Sequence, residues 1–262
     1  MPVAESGDAS LWWDSYSEGE PPLLLIQGLG YTADMWHRVL PGLAAQRRVI
    51  AFDNRGVGRS SVPEPPWTVE QMADDAIAVL DAAGGARAHV FGVSMGGLIA
   101  QEVVLRHPER VASLVLGCTH PGGREAARMD PDAAAMLMDR EPKSARDAVD
   151  ASLPFVYAAG TSRAAIEEDV EVRLRYPMRA KAYWGQLDAM RRHRGTFDRL
   201  GDVAAPTLVL HGDADRLVQP ANASLIAEAI PGARLHWLHG ASHVFWTDQP
   251  DATVDAVNSF LS

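Results

Sequence analysis

The sequence predicts an α/β protein with a mostly parallel sheet flanked by helices. Short apolar runs of strand length alternate with amphipathic segments of helix length over most of the chain, which is typical of a parallel sheet. Between residues 124 and 195 this alternation stops, and only helical patterns follow one another. With 262 residues, the chain is long enough for one large domain with a sizeable core.

The strands are predicted from apolar runs that end at turn residues or at the start of a helical pattern. They cover residues 11–16, 23–27, 48–52, 88–91, 111–116, 207–210 and 233–238. A short helical piece is predicted over residues 33–40, with Pro41 ending it. A longer helix is predicted over residues 69–83, because apolar residues recur there at helical spacing until Gly84 and Gly85 stop it.

The helical segment that interrupts the alternation is predicted to be a separate unit. Its helices are expected at residues 132–140, 144–152, 163–175 and 178–194. This divides the chain into a first part of the core at 1–120, a helical cap at 121–195 and a second part of the core at 196–262. A cap placed there would roof the active site and set the substrate range.

The most informative motif is the sequence GVSMG at residues 92–96, which has the pattern G-x-S-x-G. A predicted strand precedes it and a helical pattern follows it. A serine that attacks a carbonyl must stand exposed on a sharp strand-to-helix turn, between residues small enough for strand and helix to close around it. The turn also directs the backbone N–H of Met95 toward the position of an oxyanion. We therefore predict that Ser94 is a nucleophile rather than part of an ordinary glycine-rich turn.

Two further residues follow predicted strands in the order that such a serine requires. Asp215 and His243 come after the strands at 207–210 and 233–238, so the chain order is nucleophile, acid, base. All three residues lie past the carboxyl ends of strands, where open α/β sheets place their sites. Asp213 is an alternative acid, but its position directly after a glycine favours a turn or capping role. Other histidines, such as His211 at the end of its strand, are interpreted as structural.

Together these motifs resemble the α/β-hydrolase superfamily, in the branch of small esterases, enol-lactone hydrolases, carbon–carbon bond hydrolases and cofactor-free haloperoxidases. The resemblance covers nearly the whole chain. It rests also on LLLIQGLG at 23–30, which is similar to the family's strand and H-G-x-G loop, and on FDNRGVGRS at 52–60, which is similar to its D-x-R-G-x-G-x-S segment. The resemblance implies an α/β-hydrolase fold, with an eight-stranded sheet and a helical cap inserted after the sixth strand.

The resemblance also implies the oxyanion hole. In the family, the residue after the first glycine of the oxyanion loop donates its N–H, and this position is Leu29; Met95 would be the second donor. One departure is that Gln27 stands where the family usually has histidine. Because both donors are backbone groups, Gln27 is expected to alter the support of the loop more than the oxyanion hole itself.

The expected activity is hydrolysis of a carboxylic ester or an (enol-)lactone through an acyl-enzyme. The same motifs also fit a carbon–carbon bond hydrolase, a cofactor-free haloperoxidase or perhydrolase, and a small-molecule receptor that retains the triad without turnover. No cofactor is expected, and no Cys/His cluster with metal-ligand spacing predicts a metal site. The sequence GLGYTA at 28–33, together with Asp53, also resembles a dinucleotide-binding motif. This interpretation is weaker than the hydrolase interpretation, because Pro41 cuts the following helix short and Asp53 also belongs to the hydrolase pattern.

The predicted cap supplies candidates for substrate contact. Tyr157 and Trp184 are the proposed pocket walls, although a large aromatic residue in a helix more often belongs to a core. A basic cluster lies along the last two cap helices, and one of its members could bind a substrate carboxylate while the others are solvated. The cluster consists of Arg173, Arg175, Arg179, Lys181, Arg191, Arg192 and Arg194.

Composition agrees with an enzyme that acts on a small molecule. The 34 acidic and 24 basic residues give a net charge of −10, which argues against nucleic-acid or anionic-membrane partners. Cys118 is the only cysteine, so an internal disulfide is impossible. The amino terminus lacks the pattern of a signal peptide, and no apolar run reaches the roughly 18 residues of a membrane span. A cytoplasmic protein is therefore expected, while the oligomeric state stays open.

Overall fold

Eight strands form one sheet in the computed structural model, which describes residues 2–141 and 143–262. The strands β1 to β8 are Val3–Ser6, Ala9–Tyr16, Leu23–Ile26, Val49–Phe52, Ala88–Val93, Val111–Gly117, Thr207–Gly212 and Arg234–Leu238. Their order across the sheet is β1-β2-β4-β3-β5-β6-β7-β8. The β1–β2 and β2–β4 pairs are antiparallel, and the others are parallel. The predicted mostly parallel sheet of eight strands is confirmed.

Ten α-helices surround or follow these strands in the described part of the chain. The helices α1 to α10 are Leu40–Ala44, Val69–Ala82, Met95–Arg106, Pro131–Met138, Ala145–Val156, Arg163–Arg175, Ala180–Arg192, Ala221–Ala229, Phe245–Asp248 and Pro250–Leu261. Short 3-10 turns lie at Ala33–Trp36, Pro108–Arg110 and Phe197–Asp202. Over the residues described, no helix combines the length and apolar character that a membrane crossing needs.

Two local predictions differ from the structure. One strand, β1, was not predicted; it is four residues long, lies at the edge of the sheet and pairs only with β2. The prediction that Pro41 ends a helix is wrong: a 3-10 turn ends at Trp36, and α1 then begins at Leu40 with Pro41 in its first turn. Proline suits that position because the first turn of a helix leaves its N–H groups unbonded, so the missing N–H is not needed.

The central strands are buried on both faces and hold the site rigidly. All residues of β3 and β7 are buried. Alternate residues of β3 enter two different clusters: Leu24 and Ile26 pack toward α2 and α3, whereas Leu23 and Leu25 pack with Trp36 on the other side. Burial on both faces is typical of parallel strands covered by helices. The loops at their carboxyl ends therefore start from well-fixed positions.

Helices α4 to α7 occupy the connection between β6 and β7, as predicted, and the structure describes no strand in residues 124–141 or 143–195. Two buried side chains fasten them to the rest of the molecule. Asp169 in α6 accepts hydrogen bonds from Thr247 Oγ1 at 2.6 Å and from Arg38 Nε at 3.2 Å. Gln186 in α7 accepts from the Gly30 N–H at 3.0 Å and donates to the Arg55 carbonyl at 2.9 Å. The helices are thus held against the carboxyl edge of the sheet.

Candidate active site

Ser94 stands on a strained turn between β5 and α3. Its φ is +56° and its ψ is −122°, a backbone conformation that residues other than glycine rarely adopt. A Cβ atom at Gly92 would lie 2.0 Å from the Gly96 carbonyl oxygen, and one at Gly96 would lie 2.1 Å from the Ile26 carbonyl oxygen. Strand and helix can therefore close around Ser94 only because both flanking positions are glycine.

His243 and Asp215 form a buried hydrogen-bonded pair near this serine. His243 Nδ1 donates to Asp215 Oδ2 at 2.8 Å. Asp215 Oδ1 accepts from the backbone N–H groups of Leu217 and Val218 at 2.8 and 2.9 Å, which fixes the carboxylate in its loop. Because Nδ1 is occupied, Nε2 of His243 is the nitrogen left for Ser94, and the two residues line the same cavity.

Asp213, the alternative acid, lies elsewhere. Its carboxylate accepts from His239 Nδ1 at 2.8 Å and from the Gly240 N–H at 2.7 Å, both at the surface. This is the turn-stabilising role expected from its position after a glycine. The structure therefore brings Asp215, and not Asp213, to His243.

The charges of the buried pair stabilise one another. Burial alone would lower the pKa of His243, but the Asp215 carboxylate, with a smaller contribution from Cys118, raises this pKa well above its ordinary value. Burial would raise the pKa of Asp215, yet His243 and His211 together lower it. An ionised Asp215 beside the imidazole is the arrangement that stabilises an imidazolium when His243 accepts a proton.

Two residues at the site were not predicted from the sequence to belong to it. His211, interpreted as structural, places its Nε2 at 2.9 Å from the Val218 carbonyl oxygen and 3.3 Å from Asp215 Oδ2. Cys118, noted only as a single cysteine, is buried directly after β6 with a φ of +38°, and its thiol and the His243 imidazole are close enough to influence each other's pKa. Burial raises the pKa of this thiol. The sequence offered one signal for both residues: His211 lies at the end of a central strand, and Cys118 directly follows one.

The loop after β3 lies against Ser94. A Cβ atom at Gly28 would lie 3.0 Å from Ser94 Cβ and 3.4 Å from its Oγ, so Leu29 is the next residue along a backbone already in contact with the serine. Met95 is the first residue of α3, and a first-turn N–H has no acceptor within its own helix. Met95 thus follows the serine directly, and Leu29 lies in a loop that contacts it; their role as oxyanion donors stays a prediction.

Gln27 supports this loop through two hydrogen bonds. Its Oε1 accepts from the Gly28 N–H at 3.2 Å, and its carbonyl oxygen accepts from Asn54 Nδ2 at 2.9 Å. The side chain is fully buried. Gln27 therefore supports the oxyanion loop. This is the role expected at the position where the family usually has histidine.

A cavity of about 550 Å³ opens above Ser94. Its walls come from the loop after β3, from the loops that carry Leu217 and His243, and from helices α4 to α7. Trp184 lines the cavity, as predicted. Tyr157 does not: it is buried, and its hydroxyl donates to Asp169 Oδ2 at 3.0 Å. This placement does not support the interpretation of Tyr157 as a pocket wall, and gives it a role in anchoring α6 instead.

The Asp53 carboxylate is occupied by hydrogen bonds from neighbouring residues. It is fully buried and accepts from the Ala33 N–H at 2.8 Å, the Arg59 N–H at 2.9 Å and Arg59 Nε at 2.7 Å. A Cβ atom at Gly58 would lie 2.3 Å from its carboxylate, which leaves no space for a ligand. Asp53 therefore fastens the loop through residue 60 and offers nothing to the ribose of a dinucleotide.

A separate cluster, in which Glu102 and His193 are buried and Glu70 is partly exposed, joins α2 and α3 to the chain beyond α7. Ligand atoms of Glu70, Glu102 and His193 lie within 4.8 Å of one another, as in a candidate metal site. His193 Nε2 donates to Glu102 Oε1 at 2.9 Å, and Arg199 donates to both carboxylate oxygens of Glu102. Because the Arg199 guanidinium already supplies the positive charge, the cluster is an ion-paired brace between these elements.

The comparison with known families agrees with this architecture. The model of the alpha/beta hydrolase fold family matches residues 21–249. The chain therefore belongs to the α/β-hydrolase family, and the expectation of an enzyme of this class is confirmed.

Individual relatives align along almost their whole length. A protein of Azorhizobium caulinodans with the provisional name carbamate hydrolase RutD is 32% identical over 253 residues, which cover 96% of this chain and 94% of the relative. The crystal structure of a hydrolase from Pseudomonas aeruginosa PA01 is 31% identical with a TM-score of 0.85, over 99% of this chain and 97% of that one. The enol-lactonase from Burkholderia xenovorans LB400 is 27% identical with a TM-score of 0.86, over 99% of each chain.

Proposed function

We propose that the protein is a serine hydrolase that cleaves a carboxylic ester or a lactone through an acyl-enzyme. The observation that carries the proposal is the buried His243–Asp215 pair, joined at 2.8 Å, on the wall of the cavity into which the strained turn presents Ser94. This constellation combines a nucleophile, a base and a group that orients the base.

The reaction follows from these positions. His243 Nε2 takes the proton of Ser94 Oγ as the oxygen attacks the substrate carbonyl. The N–H groups of Leu29 and Met95 donate to the oxyanion that forms, and Asp215 stabilises the imidazolium. His243 then gives its proton to the departing alcohol oxygen, which leaves an acyl group on Ser94. Water, deprotonated by His243, attacks this acyl group, and the carboxylic acid departs as Ser94 regains its proton.

The surroundings of the site support a small-molecule substrate. A cavity of about 550 Å³ is within the ordinary size range of ligand pockets. Residues 121–195 act as the cap in this proposal, since α4 to α7 supply much of the cavity wall. The likeness to an enol-lactonase and to a protein named as a carbamate hydrolase supports hydrolysis at a carbonyl carbon.

The test combines active-site labelling with a panel of substrates. A fluorophosphonate should add one label per chain, and this label should be absent in Ser94→Ala. Wild-type protein should hydrolyse p-nitrophenyl esters or an enol-lactone, and chelators should not change the rate. Turnover of a 1,3-diketone without turnover of esters would instead indicate carbon–carbon bond cleavage, and peroxide-dependent turnover would indicate perhydrolysis. Binding without turnover of any panel member would indicate a receptor and overturn the proposal.

A further inference from the structure

Arg173 brings a positive charge into the wall of the active-site cavity. It lies in the last turn of α6 and is half-buried. Its guanidinium carbon lies 4.6 Å from the centroid of the Tyr31 ring, and its Nη1 donates to Ser152 Oγ at 3.1 Å. Tyr31 and Ser152 line the same cavity as Ser94, so the guanidinium faces that cavity. Tyr31 is only two residues beyond Leu29, which places the charge next to the oxyanion loop.

This guanidinium has no carboxylate partner among residues 2–141 and 143–262. The acid one turn earlier on the same helix, Asp169, is engaged by Arg38, Tyr157 and Thr247. A half-buried cation without a counter-ion is unfavourable unless a ligand supplies the opposite charge. Ser152 accepts one N–H, and four of the five guanidinium donors remain for another acceptor.

The other side chains of the wall that carry full charges differ from Arg173. Apart from His243, they are Asp139, Arg140, Glu141 and Lys143, and all four are exposed. Lys143 is paired with Asp139, and the Arg140 guanidinium carbon lies 4.1 Å from the centroid of the Trp184 ring. Among the described lysines and arginines of the wall, Arg173 is thus the one that is half-buried rather than exposed.

We propose that Arg173 binds a carboxylate carried by the substrate, so that the enzyme prefers esters or lactones with a free carboxylate at a distance from the scissile carbonyl. The inference rests on the proposed hydrolase function and specifies its substrate class. A planar guanidinium stacked on Tyr31 presents its remaining N–H groups in the fork that matches the two oxygens of a carboxylate. The reaction itself is unchanged: the carboxylate anchors the substrate while Ser94 attacks the ester carbonyl.

The experiment compares esters of matched shape that differ in charge. Mono-p-nitrophenyl glutarate carries a carboxylate where p-nitrophenyl valerate carries a methyl group, and the leaving group is the same. A second pair, carboxymethyl butyrate and ethyl butyrate, places the charge on the alcohol side. The variants are Arg173→Gln, Arg173→Lys and, as a control, Arg175→Gln, which alters an exposed arginine on the same helix outside the cavity wall.

We expect wild-type kcat/KM to favour the charged member of at least one pair. Arg173→Gln should lower kcat/KM for that ester by about 10- to 100-fold, the size of a lost charge-assisted hydrogen bond, and change the neutral ester by less than about threefold. Arg173→Lys should recover part of the loss, and Arg175→Gln should behave as wild type. Equal losses on charged and neutral esters would show that Arg173 only braces Tyr31 and Ser152, and would overturn the proposal.

A binding measurement separates this inference from the proposed function. Glutarate should raise the melting temperature of the wild type and of Ser94→Ala, but not that of Arg173→Gln. If glutarate binds in this way while no ester is hydrolysed and Ser94 is not labelled, the hydrolase function fails and the carboxylate site stands. In the converse outcome, esters are hydrolysed through Ser94 while neither the preference for the charged ester nor the binding of glutarate depends on Arg173. In that case the carboxylate site fails and the hydrolase function stands.

Discussion

His211 Nε2 lies 3.3 Å from Asp215 Oδ2, the same oxygen to which His243 Nδ1 donates at 2.8 Å. Two imidazoles therefore share one buried carboxylate oxygen. Because His211 Nε2 also meets the Val218 carbonyl oxygen at 2.9 Å, that nitrogen carries the proton and donates to the carbonyl, with the Asp215 carboxylate beside it. His211 thus fastens both the carboxylate and the loop that holds it.

Replacing His211 should weaken catalysis without removing the nucleophile. In His211→Phe, the loop that holds Asp215 loses its hydrogen bond at the Val218 carbonyl and the carboxylate loses the neighbouring N–H, and we expect kcat/KM for a p-nitrophenyl ester to fall about 10-fold, as for a lost hydrogen bond of about 1.5 kcal/mol. Labelling of Ser94 by a fluorophosphonate should still go to completion. A variant with unchanged kcat/KM would show that the Leu217 and Val218 N–H groups suffice to hold Asp215.

The triad itself is tested by comparing the two neighbouring aspartates. Ser94→Ala and His243→Ala should each reduce kcat by about 10³-fold or more while the fold is retained, because the members act as a unit. Asp215→Asn should also cause a large loss, since it removes the partner of His243 Nδ1. Asp213→Asn, which alters a surface turn, should retain nearly full activity. The reverse order of the two aspartate variants would contradict the assignment of the acid.

The pH dependence of the rate should report the raised pKa of His243. The base must be neutral to accept the Ser94 proton, so kcat/KM should fall as the pH is lowered through a pKa above the ordinary 6.5. The Asp215 carboxylate is the largest of the causes that raise this pKa against the effect of burial. In Asp215→Asn the acidic limb should therefore move to lower pH, together with the loss of rate. An unshifted limb in that variant would mean that the limb reports a different group.

The Glu102 brace should make the fold sensitive to acid. Burial tends to raise the pKa of Glu102, but hydrogen bonds from His193 and Arg199 lower it from 4.5 to about 2. A carboxyl whose pKa is lower in the folded than in the unfolded state contributes stability above the unfolded pKa and loses it as the pH falls toward the folded pKa. The melting temperature of the wild type should thus decline between pH 4.5 and about 2. Glu102→Gln should melt lower at neutral pH with a weaker decline, and the exposed Glu18→Gln should match the wild type.

Trp184 and Tyr157 should respond differently to substitution. Trp184 lines the cavity, so Trp184→Ala should enlarge it and favour longer acyl chains, with a shift of about 10- to 200-fold in relative kcat/KM for a long against a short p-nitrophenyl ester. Tyr157→Phe removes the hydroxyl bonded to Asp169, so it should lower the melting temperature and leave the ester preference unchanged. An unchanged preference in Trp184→Ala with a large drop in melting temperature would assign Trp184 to the core.

Local patterns were sufficient for most of the fold. The alternation of strands and helices indicated the parallel sheet because each element shows its buried face in the spacing of its own apolar residues. The strained turn at Ser94 was also predictable, since its requirement for Gly92 and Gly96 lies within five consecutive residues. Two local features were harder to predict: β1 is only four residues long and pairs only with β2, and Pro41 fits the start of a helix as well as its end.

Chain order and the spacing of apolar residues were enough to predict the fold class, the order of Ser94, Asp215 and His243, and the helical segment between β6 and β7. The side chains that surround these residues became evident only from the packing of the folded chain. Tyr157 and Arg173 lie in the same helical segment, yet the first bonds the buried Asp169 and the second faces the cavity. The reason is physical: chain order and periodicity are local properties, whereas the partner of a buried polar group depends on which distant elements meet it across the core.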